Sequence, residues 1–219
     1  MPIYNILTKG AALAALSIMF ACTGLQRDGA TGPTPIPNSV RVSAGEVELV
    51  ISAPNGFCID RATIDQNIRG TFLFLSDCRV VASTGKAARV PISAILTASI
   101  SPSGLAGSEN GMKPALEALA QFLVTPVGTF SLSKSHVNGS TTILETKQTD
   151  VALYLLVEDV AFNGSAGLSN RYWRAFTEIN GRLVALSVTG YTQKDPEEAR
   201  GLRIIRSFVQ AIIDGNVTS

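Results

Sequence analysis

From residue 46 onward the chain switches between two hydrophobic periods. Apolar and polar side chains exchange at every second position over 46–52, 71–76 and 90–101, the pattern of half-buried strands. Between the first two, 60–68 reads as a short helical stretch closed by Gly70. Over 112–124 the apolar positions move to three- and four-residue spacing, at Met112, Leu116, Leu119 and Leu123. That spacing predicts a one-sided helix, capped by Ser108 or Asn110 and ended by Pro126. Period two returns over 129–135, 141–147, 151–157, 172–179 and 183–191. Asn180-Gly181 joins the last two segments, and both residues tolerate left-handed backbone, which predicts a two-residue type I′ hairpin.

The chain closes on Asp195-Pro196-Glu197-Glu198, an N-cap, a proline at the first helical position and acids in the positive first turn. The predicted helix runs to about Asp214 and ends at Gly215. Leu202, Ile205, Phe208, Val209, Ile212 and Ile213 form its apolar side, and Arg200, Arg203 and Arg206 its solvated side. Strands, a helix, further strands and a second helix imply an α+β fold, a largely antiparallel β-sheet covered by two main helices.

The start of the chain has another character. Lys9 is followed by an apolar stretch, 11–21, too short for the roughly 20 residues that cross a hydrocarbon core, and this predicts a signal peptide over 1–21. Its end, Met19-Phe20-Ala21-Cys22, resembles the lipobox of bacterial lipoproteins. The resemblance implies diacylation of Cys22 and anchoring to a bacterial membrane from the periplasmic side of the envelope. The alternative is an ordinary cut near Ala21 that leaves a soluble periplasmic protein. Residues 22–44, rich in Gly, Pro and Thr, read as lipidation site and flexible tether, 45–215 as a single α+β domain, and 216–219 as a tail.

Composition narrows the function classes. Of 219 residues, 46% are hydrophobic and 16% charged, which excludes wholesale disorder. With Lys9 removed the chain carries 17 basic and 17 acidic residues, so no broad positive field exists to hold nucleic acid. One histidine and three cysteines leave no metal-ligand cluster, and no cofactor fingerprint occurs. With Cys22 assigned to the lipid, Cys58 and Cys78 remain as an even pair in an oxidising compartment, which predicts a disulfide.

Two further resemblances concern the body. Gly56-Phe-Cys58-Ile-Asp60, followed by Gly70-Thr-Phe72-Leu-Phe-Leu75-Ser-Asp-Cys78, resembles a group of uncharacterised exported proteins of alphaproteobacteria. The order of elements, with 173–184 leading through a hairpin to a final helix, is similar to the PsbP-like fold, an α-β-α sandwich whose characterised members are mostly binding and assembly proteins.

Candidate chemistry is sparse. His136 is the only imidazole and therefore the one side chain suited to proton transfer near neutrality. It falls in a turn, and no nucleophile elbow accompanies it. Ser131 with Lys134, and Ser83 with Lys86, match Ser-x-x-Lys spacing; the first lies in a predicted strand, where such positions face opposite sides, and the second in a turn. Trp173 with Arg171 and Arg174 forms a candidate contact cluster if the indole faces outward, or core beneath a helix if it faces inward. These readings name no catalytic residue. They point to an exported envelope protein of non-catalytic binding or assembly type, meeting a membrane through its lipid and an envelope protein partner. The alternatives are a periplasmic hydrolase using His136 and a small-ligand carrier with a pocket between sheet and helix.

Overall fold

The computed structural model describes residues 38–82, 94–162, 167–192 and 198–217, all within one unit, Pro35–Ser219. Cys22, Ser83, Lys86, the start of the segment expected over 90–101 and the expected cap at Asp195-Pro196 lie outside the described residues. The first strand, β1 (Ser39–Ala44), pairs antiparallel with β2 (Val47–Ser52). Residues 39–44 are therefore part of the fold and not of the tether, because Val42 and Ala44 alternate into the core.

Next come β3 (Phe57–Asn67), β4 (Gly70–Asp77) and a single helical turn, α1 (Cys78–Val81). The helical stretch expected over 60–68 is a strand. Its register against β4 shifts between Asp60 and Asp65, and Thr63 Oγ1 fills the break by bonding the Asp60 carbonyl and the Phe74 amide. Long-range pairing outweighs the weak local preference of these residues. Cys58 and Cys78 are joined by a disulfide, their Cα atoms 4.7 Å apart, which fixes the end of β4 to the start of β3.

After β5 (Ala94–Ile100), α2 (Met112–Leu123) begins at Gly111 without a side-chain cap. Neither expected cap serves it, because Ser108–Asn110 forms a short 3₁₀ turn in which Ser108 Oγ donates instead to Glu178 Oε2 at 2.9 Å. The strand expected over 129–135 is also corrected, to a helix, α3 (Pro126–Leu132), bent by 95° from α2. Thr125 caps it by accepting from Gly128 N at 3.1 Å, and Pro126 occupies its first turn, so the residue that stops one helix starts the next. Gly128 makes the elbow possible: a Cβ there would stand 2.1 Å from the Phe122 carbonyl oxygen.

The remaining strands are β6 (Thr141–Gln148), β7 (Leu153–Asp159), β8 (Leu168–Ile179) and β9 (Arg182–Tyr191). Asn180 and Gly181 carry φ of 49° and 69° in the two-residue loop between β8 and β9, as the type I′ expectation requires. The last element, α4 (Glu198–Val217), runs past Gly215. A Cβ at Gly215 would stand 2.6 Å from Ser52 Oγ, and Asn216 bonds both the amide and the carbonyl of Val50. Packing on β2, not a helix stop, accounts for this glycine, and residues 216 and 217 belong to the helix rather than to a tail.

The seven-stranded sheet has the order β3-β4-β5-β9-β8-β7-β6, antiparallel throughout, which makes the fold α+β. One face packs against α4 and the β1–β2 hairpin around Leu73, Leu96, Leu186, Trp173 and Phe208. On the other face α2 and α3 cover Leu153, Leu155, Val157, Tyr172 and Phe176. Among the described residues no single helix is long and apolar enough to cross a membrane.

Candidate functional site

The second face of the sheet is built in rows that antiparallel register dictates. Phe74 stands opposite Thr97, Thr97 opposite Ser187, and Ser187 opposite Arg174. On one side of this row lies Phe72–Ser99–Ala185–Phe176, and on the other Ile95–Thr189–Tyr172. Where α2 and α3 end, the rows continue over β4, β5 and β9 as the floor of a pocket of about 260 Å³. Phe162 and Leu168, which flank the β7–β8 connection, contribute to its wall, as does Lys134 from just beyond α3.

Two cations face this pocket. Lys134 Nζ donates to Thr189 Oγ1 at 2.6 Å and lies 3.9 Å from the centroid of Tyr172 and 5.5 Å from that of Phe162. Burial pushes its ammonium down to about 7, the charge of Arg174 adds to the fall, and Asp159 opposes it only in part. Burial likewise lowers Arg174, with Tyr172 opposing, and Arg174 Nε is buried without a hydrogen-bond partner. Among the described residues neither cation has a salt bridge. Tyr172 donates its hydroxyl to the Leu132 carbonyl; burial raises it to about 12, Arg174 opposing and Asp159 reinforcing.

The nearest carboxylate is already engaged. Asp159 has no exposed surface and accepts five hydrogen bonds: from Ser133 Oγ, Lys134 N and Ser135 N on Oδ2, and from Ser135 Oγ and Ser140 Oγ on Oδ1, at 2.7–2.9 Å. Burial works to raise this carboxyl, but the Ser135 amide and the Ser140, Ser135 and Ser133 hydroxyls outweigh it and hold it well below the usual carboxylate range. Its work is structural: it clamps the turn after α3 and so aims Lys134 along the sheet.

No protein-family model matches the chain, and no curated protein does.

The sequence candidates divide differently from their grouping along the chain. His136 is exposed, with φ of 55°, on the outside of the Asp159-bound turn rather than in a cleft. That position withdraws the support for a hydrolase built on it. Ser131 donates to its own helix, at the Gly128 carbonyl, while Lys134 turns away into the pocket. The spacing of Ser131 and Lys134 is thus a coincidence, though its lysine lines the pocket. The Trp173–Arg171–Arg174 cluster does not exist as one surface. Trp173 is 3% exposed beneath α4, with Nε1 donating to the Glu198 carbonyl. Arg171, on the same side, pairs with Glu158 and Glu198 at the rim. Arg174 points through the opposite face, as period-two alternation demands. The Asp159 clamp and the role of Thr189 escaped sequence reading; the one signal was the density of serines over 131–140.

Proposed function

We propose that this protein is an exported, lipid-anchored component of a bacterial envelope that binds a small molecule without transforming it, the ligand seated in the Lys134–Arg174 pocket. The observation that carries this reading is the pair of cations, without carboxylate partners among the described residues, facing an aromatic-walled cavity. An apolar pocket with a few converging polar groups is the usual form of a ligand site. The leader and the Cys22 lipobox support the location, and the disulfide is compatible with an oxidising compartment. In this reading the sheet with helices on both faces is a PsbP-like α-β-α sandwich of the exported alphaproteobacterial group, whose protein partner in the envelope is a further part of the proposal.

Two measurements test it. Membrane recovery of the full chain is expected to disappear in Cys22→Ser, and proteins recovered with wild type alone identify the envelope partner; recovery unchanged by the substitution overturns the anchor. A ligand-observed NMR screen of small metabolites is expected to yield hits that vanish in Ser99→Trp, which fills the pocket floor from β5 while leaving both cations in place. Hits that are indifferent to Ser99→Trp overturn the pocket.

A further inference from the structure

Resting on the reading of the pocket as a ligand site, we infer that its ligand is a carboxylate with a compact apolar body, the carboxylate held between Lys134 and Arg174 and the body lying on Phe72, Phe74 and Phe162. Four observations converge on this chemistry.

The first is charge. A buried cation without a counter-charge is costly, and an anion that enters removes that cost for both groups at once. The Asp159 carboxylate cannot do so, since all its bonds go to Ser133, Lys134 N, Ser135 and Ser140. The second is the donor set. Arg174 lines the pocket without a salt bridge among the described residues, and a guanidinium presents its N–H groups as a planar fork that fits the two oxygens of a carboxylate. Lys134 adds a point charge from the neighbouring row, over Tyr172 and on Thr189, and the Thr97–Ser187 hydroxyl pair, 2.6 Å apart, lies beside Arg174 in the same row.

The third observation is the rest of the lining. Phe72 and Phe74 meet edge to face, 4.9 Å between centroids, and Ile95, Phe162 and Leu168 extend the apolar wall. A strongly hydrated anion such as free phosphate would gain nothing from these surfaces, whereas a short acyl chain or an aryl ring would bury against them. The fourth is size. At about 260 Å³ the cavity lies just below the usual range of ligand pockets, which begins at about 300 Å³. Its occupant is a small acid rather than a phospholipid.

The groups facing the Lys134 ammonium are Arg174 and Tyr172 from β8, Asp159 at the end of β7 and Thr189 from β9. Because that ammonium loses its proton near neutrality in the empty site, carboxylate affinity falls as the pH rises, and binding on the alkaline side draws in a proton.

Calorimetric titration of the purified protein with octanoate, its neutral analogue octanamide and inorganic phosphate, at pH 6 and pH 9, tests the inference. Octanoate is expected to bind roughly tenfold or more tightly than octanamide, the gain of a charge-assisted pair, and to weaken roughly tenfold between the two pH values. Arg174→Met is expected to abolish the preference for octanoate. Lys134→Met is expected to flatten the pH dependence. Both variants replace a desolvated cation by an apolar side chain of similar length and should keep the wild-type melting midpoint or exceed it. Octanamide binding as tightly as octanoate overturns the inference and leaves the ligand pocket standing. Phosphate binding as tightly as octanoate overturns the apolar body. Binding of neither octanoate nor octanamide overturns the inference, and the Ser99→Trp-sensitive hits of the screen decide the pocket separately.

Discussion

Gly201 of α4 lies directly over the indole of Trp173, so closely that a Cβ at Gly201 would stand 2.7 Å from Trp173 Cδ1. The indole then reaches the Glu198 carbonyl at 3.0 Å, one turn earlier in the helix. An alanine would improve helix propensity by about 1 kcal/mol, but the ring is locked on both sides and overpacking costs about 1–3 kcal/mol. Gly201→Ala is therefore expected to lower the melting midpoint and to red-shift the emission of Trp173, the only tryptophan. An unshifted spectrum with unchanged stability would show that α4 slides without cost.

Lys134 links stability to pH in the empty protein. Its folded pKa is lowered to about 7, so below that value the folded and unfolded chains both carry the proton and the cost of burying the charge is present in full. Between about 7 and the ordinary lysine value the unfolded chain binds more protons, and stability rises with pH, by up to about 1.4 kcal/mol per unit for this one group. Denaturant titrations at pH 6, 8 and 9.5 should show wild type gaining stability relative to Lys134→Met along that series. A constant difference would remove Lys134 from the buried site.

Asp159 has the opposite sign. Its folded pKa is held down, so its contribution is present above the ordinary carboxylate value and is lost as the pH falls toward the folded value. Asp159→Asn keeps the shape but replaces one acceptor oxygen by a donor facing hydroxyls and amides. It is expected to cost about 2–4 kcal/mol at pH 7, with the difference from wild type shrinking below about pH 4. Urea unfolding at the two pH values measures both effects.

The Cys58–Cys78 bridge closes a loop with a sequence separation of 20. Chain entropy alone assigns such a loop about 3 kcal/mol. The double substitution Cys58→Ala and Cys78→Ala is expected to reduce unfolding free energy by about that amount. Mass spectrometry after alkylation of the unreduced wild-type chain should find neither cysteine modified.

The elements that could be read along the chain are those whose information is local. The spacing of Met112, Leu116, Leu119 and Leu123 states a helix, Asn180-Gly181 states its turn, and the alternation over 183–191 states a strand, because each depends on neighbours within a few residues. Misreadings arose where local cues conflict. Phe130 and Leu132 imitate a strand period, while Thr125-Pro126 carries the helix start that decides the matter. Residues 60–67 have no strong preference and are recruited by pairing with β4. Gly215 has the composition of a helix stop but sits where α4 crosses β2.

The pocket is of another kind. Its floor is a set of cross-strand rows, and Phe74, Thr97, Ser187 and Arg174 become neighbours only once three registers are set. Period-two alternation in the sequence is enough to separate Arg174 from Trp173, but it does not say which face will be covered by helices and which will hold a cavity. The sequence by itself determined the helix over 112–123, the Asn180-Gly181 hairpin with its flanking strands, the last helix and the cysteine pair, since these follow from short-range spacing and composition. Only tertiary structure decided that Lys134 and Arg174 share a site and that Asp159 is taken up in a turn, because burial and charge pairing depend on which distant segments remove water from a side chain.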